Sequence, residues 1–86
     1  METKELGHSC HQLLIDGVDK TKVEVLLGKP TTMQTENFRA PKYIKIENLP
    51  SHDEQWTYIK SEKLETYLIY FKSGKVVFAL KEWSDW

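Results

Sequence analysis

Three histidines and a single cysteine are the residues of this 86-residue chain on which metal or nucleophilic chemistry could be built. His8 and His11 stand three apart, a spacing that can bring two imidazoles to one metal from a helix, and Cys10 and His52 are the further donors such a site would need. The pattern stops short of a site. Cys10 lies about 100° around a helix from His11, and no third ligand follows at a metal-binding spacing. Cys10 and His11 fail as nucleophile and base for a related reason, since adjacent helical residues do not face each other and no oxyanion-stabilising motif follows. No phosphate loop, nucleophile elbow or paired-carboxylate motif stands out either, and Asp53-Glu54 and the Glu62/Glu65 pair read as solvated charges at strand ends. The expectation is a protein that is not an enzyme and carries no metal and no cofactor.

Charge narrows the partners. The chain holds 12 Lys and Arg against 13 Asp and Glu, a formal net charge of -1, whereas phosphate recognition leaves a clearly basic balance. The one basic and aromatic stretch, Phe38 to Lys45, is flanked by Glu36 and Glu47 and reads as a solvated loop tacked down by Phe38 and Tyr43. No nucleic acid is expected. There is no apolar run of spanning length, and the N-terminal Met1 to Glu5 is polar, without the apolar stretch of a secretory signal. As written, the chain is expected to stay in the cytoplasm. A single cysteine allows no intramolecular disulfide, so packing alone must hold the fold.

The elements that would position these residues follow from periodicity. At 10.1 kDa the chain is expected to form a single domain, 1–86. All of its Phe, Tyr and Trp residues lie at or after Phe38, which divides it into an aliphatic head and an aromatic body. From Glu2 to Ile15, Leu6, Cys10, Leu13 and Leu14 follow the i, i+4, i+7, i+8 spacing of a helical face, with Cys10 as a small core residue. A second helix starts at Thr21 to Glu24, which reads as a capping box, and stops at Gly28-Lys29-Pro30. Residues 31–50 read as a long loop with an edge strand. Gln55 to Ile59, Leu64 to Phe71 and Val76 to Trp83 are β-branched and aromatic runs of strand length. The fold class is therefore α+β, with two N-terminal helices packed on a three-stranded antiparallel sheet, or four-stranded if the edge strand forms.

With Ser73-Gly74 as the turn, Phe71 faces Val76, Ile69 faces Phe78 and Tyr67 faces Leu80 on the side toward the helices. Trp56 joins the Tyr67 row. The outer side then carries Tyr70 with Val77, Leu68 with Ala79, and Leu64 with Trp83, joined by Ile59. That side is too apolar for a solvated face.

The stretch Asp16 to Thr31, with its Gly17, its Thr21-Lys22 helix start, Val23 and the closing Leu27-Gly28-Lys29-Pro30-Thr31, resembles the opening signature of the SmpA/OmlA (BamE-like) small outer-membrane lipoproteins. Trp56-Thr57-Tyr58 and the strand Leu64 to Phe71 with its Phe-Lys-x-Gly-Lys-Val turn look like the family's strand pattern. The resemblance implies the ααβββ architecture shared with each half of the β-lactamase inhibitory proteins. It also implies a binding module, either serving the machinery that inserts β-barrels or gripping an enzyme. The chain departs from the lipoprotein pattern at Gly7-His8-Ser9-Cys10, which lacks a lipidation box. A trimmed mature chain would instead work on the periplasmic side of the outer membrane.

The expected function is thus non-enzymatic binding of another protein through the outer sheet face, with Ile59, Leu64, Leu68, Tyr70, Trp83 and Trp86 as contacts. The alternative is a soluble inhibitor or immunity-type protein that blocks one enzyme. A homodimer through a sheet edge or face is also compatible with the sequence.

Overall fold

The computed structural model describes all residues except Met1, His8, Tyr43, Ser61, Lys63 and 84–86. The chain runs β1 (Thr3–Gly7), β2 (Cys10–Leu13), α1 (Lys20–Leu27), β3 (Thr32–Gln34), a 3-10 turn (Ile46–Asn48), β4 (Glu54–Lys60), β5 (Glu65–Lys72) and β6 (Lys75–Trp83). The strands form one six-stranded sheet in the order β1-β2-β6-β5-β4-β3, with every neighbouring pair antiparallel. The expected two-helix, three-stranded architecture is therefore incorrect.

The expected first helix is a hairpin. Thr3 pairs with Leu13 and Glu5 with His11, and Cys10 and Gln12 pair onward with Glu82 and Leu80 of β6. Two forces override the helical spacing. Gly7 inside a helix costs about 1 kcal/mol relative to alanine, and β6 would otherwise present a long unpaired edge. Alternation serves the same residues: Cys10 and Leu13 are buried on opposite faces, and Leu14, which the helical stripe needed inside, is exposed.

The second helix forms where expected, with a different cap. Asp19, in extended conformation, accepts a hydrogen bond from the Lys22 amide at 2.9 Å, so the N-cap is Asp19 and not Thr21. At the other end Gly28 takes φ 83° and its N–H returns to the Glu24 carbonyl at 2.8 Å, a conformation glycine adopts without penalty. Tyr58 O–H donates to the freed Gly28 carbonyl at 2.8 Å, tying the helix end to β4.

Ser73 and Gly74, both at positive φ, form the β5–β6 turn and pair Phe71 with Val76 as the turn chemistry requires. A bulge then leaves Val77 as an extra residue, and the register beyond it shifts: Tyr70 pairs with Phe78, Ile69 with Ala79, Leu68 with Leu80, and Tyr67 with Lys81. The expected partners of Ile69 and Tyr67 are corrected accordingly. One inserted residue exchanges the faces of everything after it, so Phe78, Leu80 and Glu82 turn to one side while Ala79, Lys81 and Trp83 turn to the other.

Two apolar layers result. On the helix side, Val23 of α1 closes over Trp56, Tyr58, Ile69, Phe71, Val76 and Ala79, with Leu13 and Ile15 in the same cluster. On the opposite side, Cys10, Leu68, Tyr70 and Leu80 form a second cluster. The described residues of 35–53 cross this second face as a strap, and Ile44 and Leu49 pack down onto it.

Candidate functional site

The expected outer contact face is not free. Tyr70 is 0% and Leu68 1% exposed, because the strap lies over them. Ile59 and Leu64 are 52% and 50% exposed, near the β4–β5 connection. Trp83 is half-buried and, through the Val77 bulge, sits on the helix side instead of beside Tyr70. Trp86 lies outside the described residues. The five described residues therefore do not make one surface.

What gathers around Trp83 is a different set. Register places Lys60, Glu65 and Trp83 in one row across the sheet, and Tyr58, Tyr67, Lys81 and His11 in the next. These rows occupy the helix-side face, where His11, Lys60, Glu65, Tyr67, Lys81 and Trp83 all remain half-buried. Glu65 organises them. Its Oε1 accepts from Trp83 Nε1 at 3.2 Å and its Oε2 from Tyr67 O–H at 3.0 Å, so one carboxylate fixes two rings. The His11 ring meets Trp83 edge-on, with centroids 4.8 Å apart at 85°. Lys81 Nζ lies 5.0 Å above the Trp83 ring, and Lys60 Nζ lies 6.0 Å from that of Tyr58.

Electrostatics follow from this packing. Burial raises the Tyr67 hydroxyl above its ordinary value, and the hydrogen bond and charge of Glu65 add to it. Burial, reinforced by the charge of Glu24, pushes Tyr58 up to about 12. Both phenols therefore stay neutral near neutral pH and act as hydrogen-bonding, ring-presenting groups.

The nucleophilic and metal readings find no geometry among the described residues. Cys10 faces the strap and His11 the helix side, as successive strand residues must. His52, near the end of the strap, lies edge-on to Phe38 and Tyr70 at 4.6 and 4.9 Å, on the far side of the sheet from His11, and His8 is outside the described residues. No group of three or more His, Cys, Asp or Glu able to hold a metal occurs among the described residues. None of the described helices is long and apolar enough to cross a membrane.

Sequence reasoning named Trp83 as a contact and His11 only as a metal or base candidate, and it did not place Glu65, Tyr67 and Lys81 beside them. Their signal was present as the alternating pairs Glu65/Tyr67 and Lys81/Trp83, but the bulge at Val77 hid which of them face the same way. The strap is the other surprise, held by buried polar side chains. Gln55 Oε1 accepts from the Arg39 amide at 2.8 Å, Glu82 Oε1 accepts from the Lys42 amide at 2.6 Å, and Tyr70 O–H donates to the Arg39 carbonyl. Compared with family models, curated proteins and solved structures, the chain matches none.

Proposed function

We propose that this chain is a non-enzymatic protein-binding module whose contact surface is the helix-side patch centred on Trp83. The observation that carries the reading is the Glu65 carboxylate, which spends both oxygens on orienting Trp83 and Tyr67 at a half-buried surface. Preoriented aromatic rings bordered by lysines lose little freedom on contact and resemble the anchors that dominate binding energy at interfaces. The BamE-like element of the reading rests on the resemblance of Asp16 to Thr31, Trp56-Thr57-Tyr58 and Leu64 to Phe71 to that family's pattern. On that resemblance the module serves outer-membrane assembly if the chain is exported, and an inhibitor or immunity role if it remains in the cytoplasm.

The test is affinity capture from the native host followed by titration of the captured protein. Trp83→Ala should weaken binding by about 30-fold or more and Lys81→Glu by less, in line with the cost of losing an anchor against a rim charge. Leu26→Ala, on the exposed side of α1, should leave affinity unchanged. Circular dichroism confirms that each variant is folded. Retention of full affinity by folded Trp83→Ala protein removes the patch from the interface.

A further inference from the structure

We propose that the 38–52 strap is a lid that opens as a unit from the second face of the sheet while the six strands stay paired. The way it is fastened carries the inference. A connection this long with only a short 3-10 turn is uncommon inside a compact fold and is characteristic of functional loops. Besides the packing of Ile44 and Leu49, its fastenings to the sheet are bonds to the side chains of Gln55, Tyr70 and Glu82, on the adjacent strands β4, β5 and β6, and a longer one of 3.4 Å from Lys42 Nζ to the Trp83 carbonyl. The three bonds to side chains of the sheet address backbone atoms of Arg39 and Lys42, both of them exposed residues.

Release of the strap breaks no strand pairing. The two ends differ in the manner of a hinge and a clasp. Asn37, at φ 54°, turns the chain where it leaves β3. Asp53 is stapled to the β5–β6 end by its N–H to the Phe71 carbonyl at 2.8 Å and by the Ser73 N–H to its Oδ2 at 3.0 Å. The strap itself carries a group that disfavours closure: His52 Nδ1 meets the Pro50 carbonyl at 2.8 Å, but Nε2 is buried with no hydrogen-bond partner among the described residues. Opening uncovers Leu68, Tyr70 and Leu80, an apolar layer separate from the helix-side core. Local opening of a segment held by few contacts is common well below the free energy of global unfolding.

Cys10 is a built-in reporter. It is the chain's single cysteine and is fully buried in the layer beneath the strap. Burial, with the charge of Glu82 beside it, raises its thiol above the ordinary value, so the closed form is unreactive. The experiment follows reaction of the full chain with an aromatic disulfide reagent by the coloured thiolate it releases, in buffer without denaturant. Tyr70→Phe deletes one fastening and should accelerate labelling about 5- to 30-fold, the factor expected for one lost buried hydrogen bond. Glu82→Leu deletes another but also removes the charge that raises the thiol, so its rate is read against that of Glu82→Gln, which removes the same charge. Glu82→Gln keeps an acceptor and should accelerate it less. Val23→Ala loosens the helix side and should leave the rate within about twofold of wild type, because additivity holds for sites without shared partners. Acceleration by Val23→Ala equal to that of the strap variants would show that Cys10 reacts only through global unfolding and would overturn the proposal. Acceleration by Lys4→Pro, which disrupts β1 against β2, without acceleration by the strap variants would overturn it too, by placing the opening in the hairpin.

Discussion

The sheet buries an apolar layer on each face, and the two layers are closed by different means. On the helix side, α1 lowers Val23 and Leu27 onto aromatic rings, and its own backbone bonds are satisfied internally or by caps. On the strap side an irregular segment provides the cover. Such a segment brings backbone N–H and C=O groups that no ladder satisfies, so the sheet must supply partners from its own side chains. Gln55, Glu82 and the Tyr70 hydroxyl are those partners, and two of the three are the polar residues most at odds with a buried position. The lesson is that the polar composition of a sheet face reports what covers it. A helix asks for apolar residues below, and a strap asks for acceptors and donors at fixed positions.

The largest test of this contrast compares neighbouring residues of β5 that point to opposite faces. Phe71 is fully buried on the helix side, with its ring 4.8 Å from Trp56 and the Lys20 ammonium 5.8 Å from its centroid. Phe71→Ala should destabilise the fold by about 3–5 kcal/mol, from lost burial plus the cavity left behind, as read by denaturant melts. Tyr70→Phe keeps the ring and loses only the bond to Arg39, and should cost about 1 kcal/mol. Equal losses in the two variants would mean that the faces do not differ in the way their covers imply.

Legibility follows the same division. The helix over Lys20–Leu27, the turn at Ser73-Gly74 and the three long strands were readable, because each is decided by local rules of capping, positive φ and alternation. The β1–β2 hairpin was not, because its spacing also satisfies a helix, the local cost of Gly7 is small, and the unpaired edge of β6 that decides between them is far away in sequence. Nor was the face of Trp83, which depends on the unpaired Val77. The strap's seat was the least legible: Gln55 and Glu82 look like surface residues until the amides of Arg39 and Lys42 are found above them. The N-cap offers a sharp check on local reading. Asp19→Ala should lower stability by about 1 kcal/mol, whereas Thr21→Ala, at an exposed position within the first turn, should cost at most a few tenths. The reverse order in thermal melts would restore the capping box expected at Thr21.

The smallest effect concerns the charged clasp at the start of α1, where the helix side is fastened by a polar contact of its own. Lys20 forms an ion pair with Glu54 Oε1, while Trp56 Nε1 donates to Oε2 at 2.7 Å. Burial alone would raise the Glu54 carboxyl, but the hydrogen bonds from Lys20 and Trp56 and the lysine charge outweigh it and hold the group below its ordinary value of 4.5. A carboxyl whose folded value is depressed stabilises the fold above the unfolded value and loses that contribution as pH falls through the folded one. Wild type should therefore exceed Glu54→Gln by up to about 1 kcal/mol at neutral pH, since Lys20 is partly solvated. The gap should close progressively on acidification below 4.5. A gap that is constant with pH would show that Glu54 acts by shape and hydrogen bonding alone. The helix side would then be fastened without help from charge, unlike the strap side, where the Glu82 carboxylate holds the Lys42 amide.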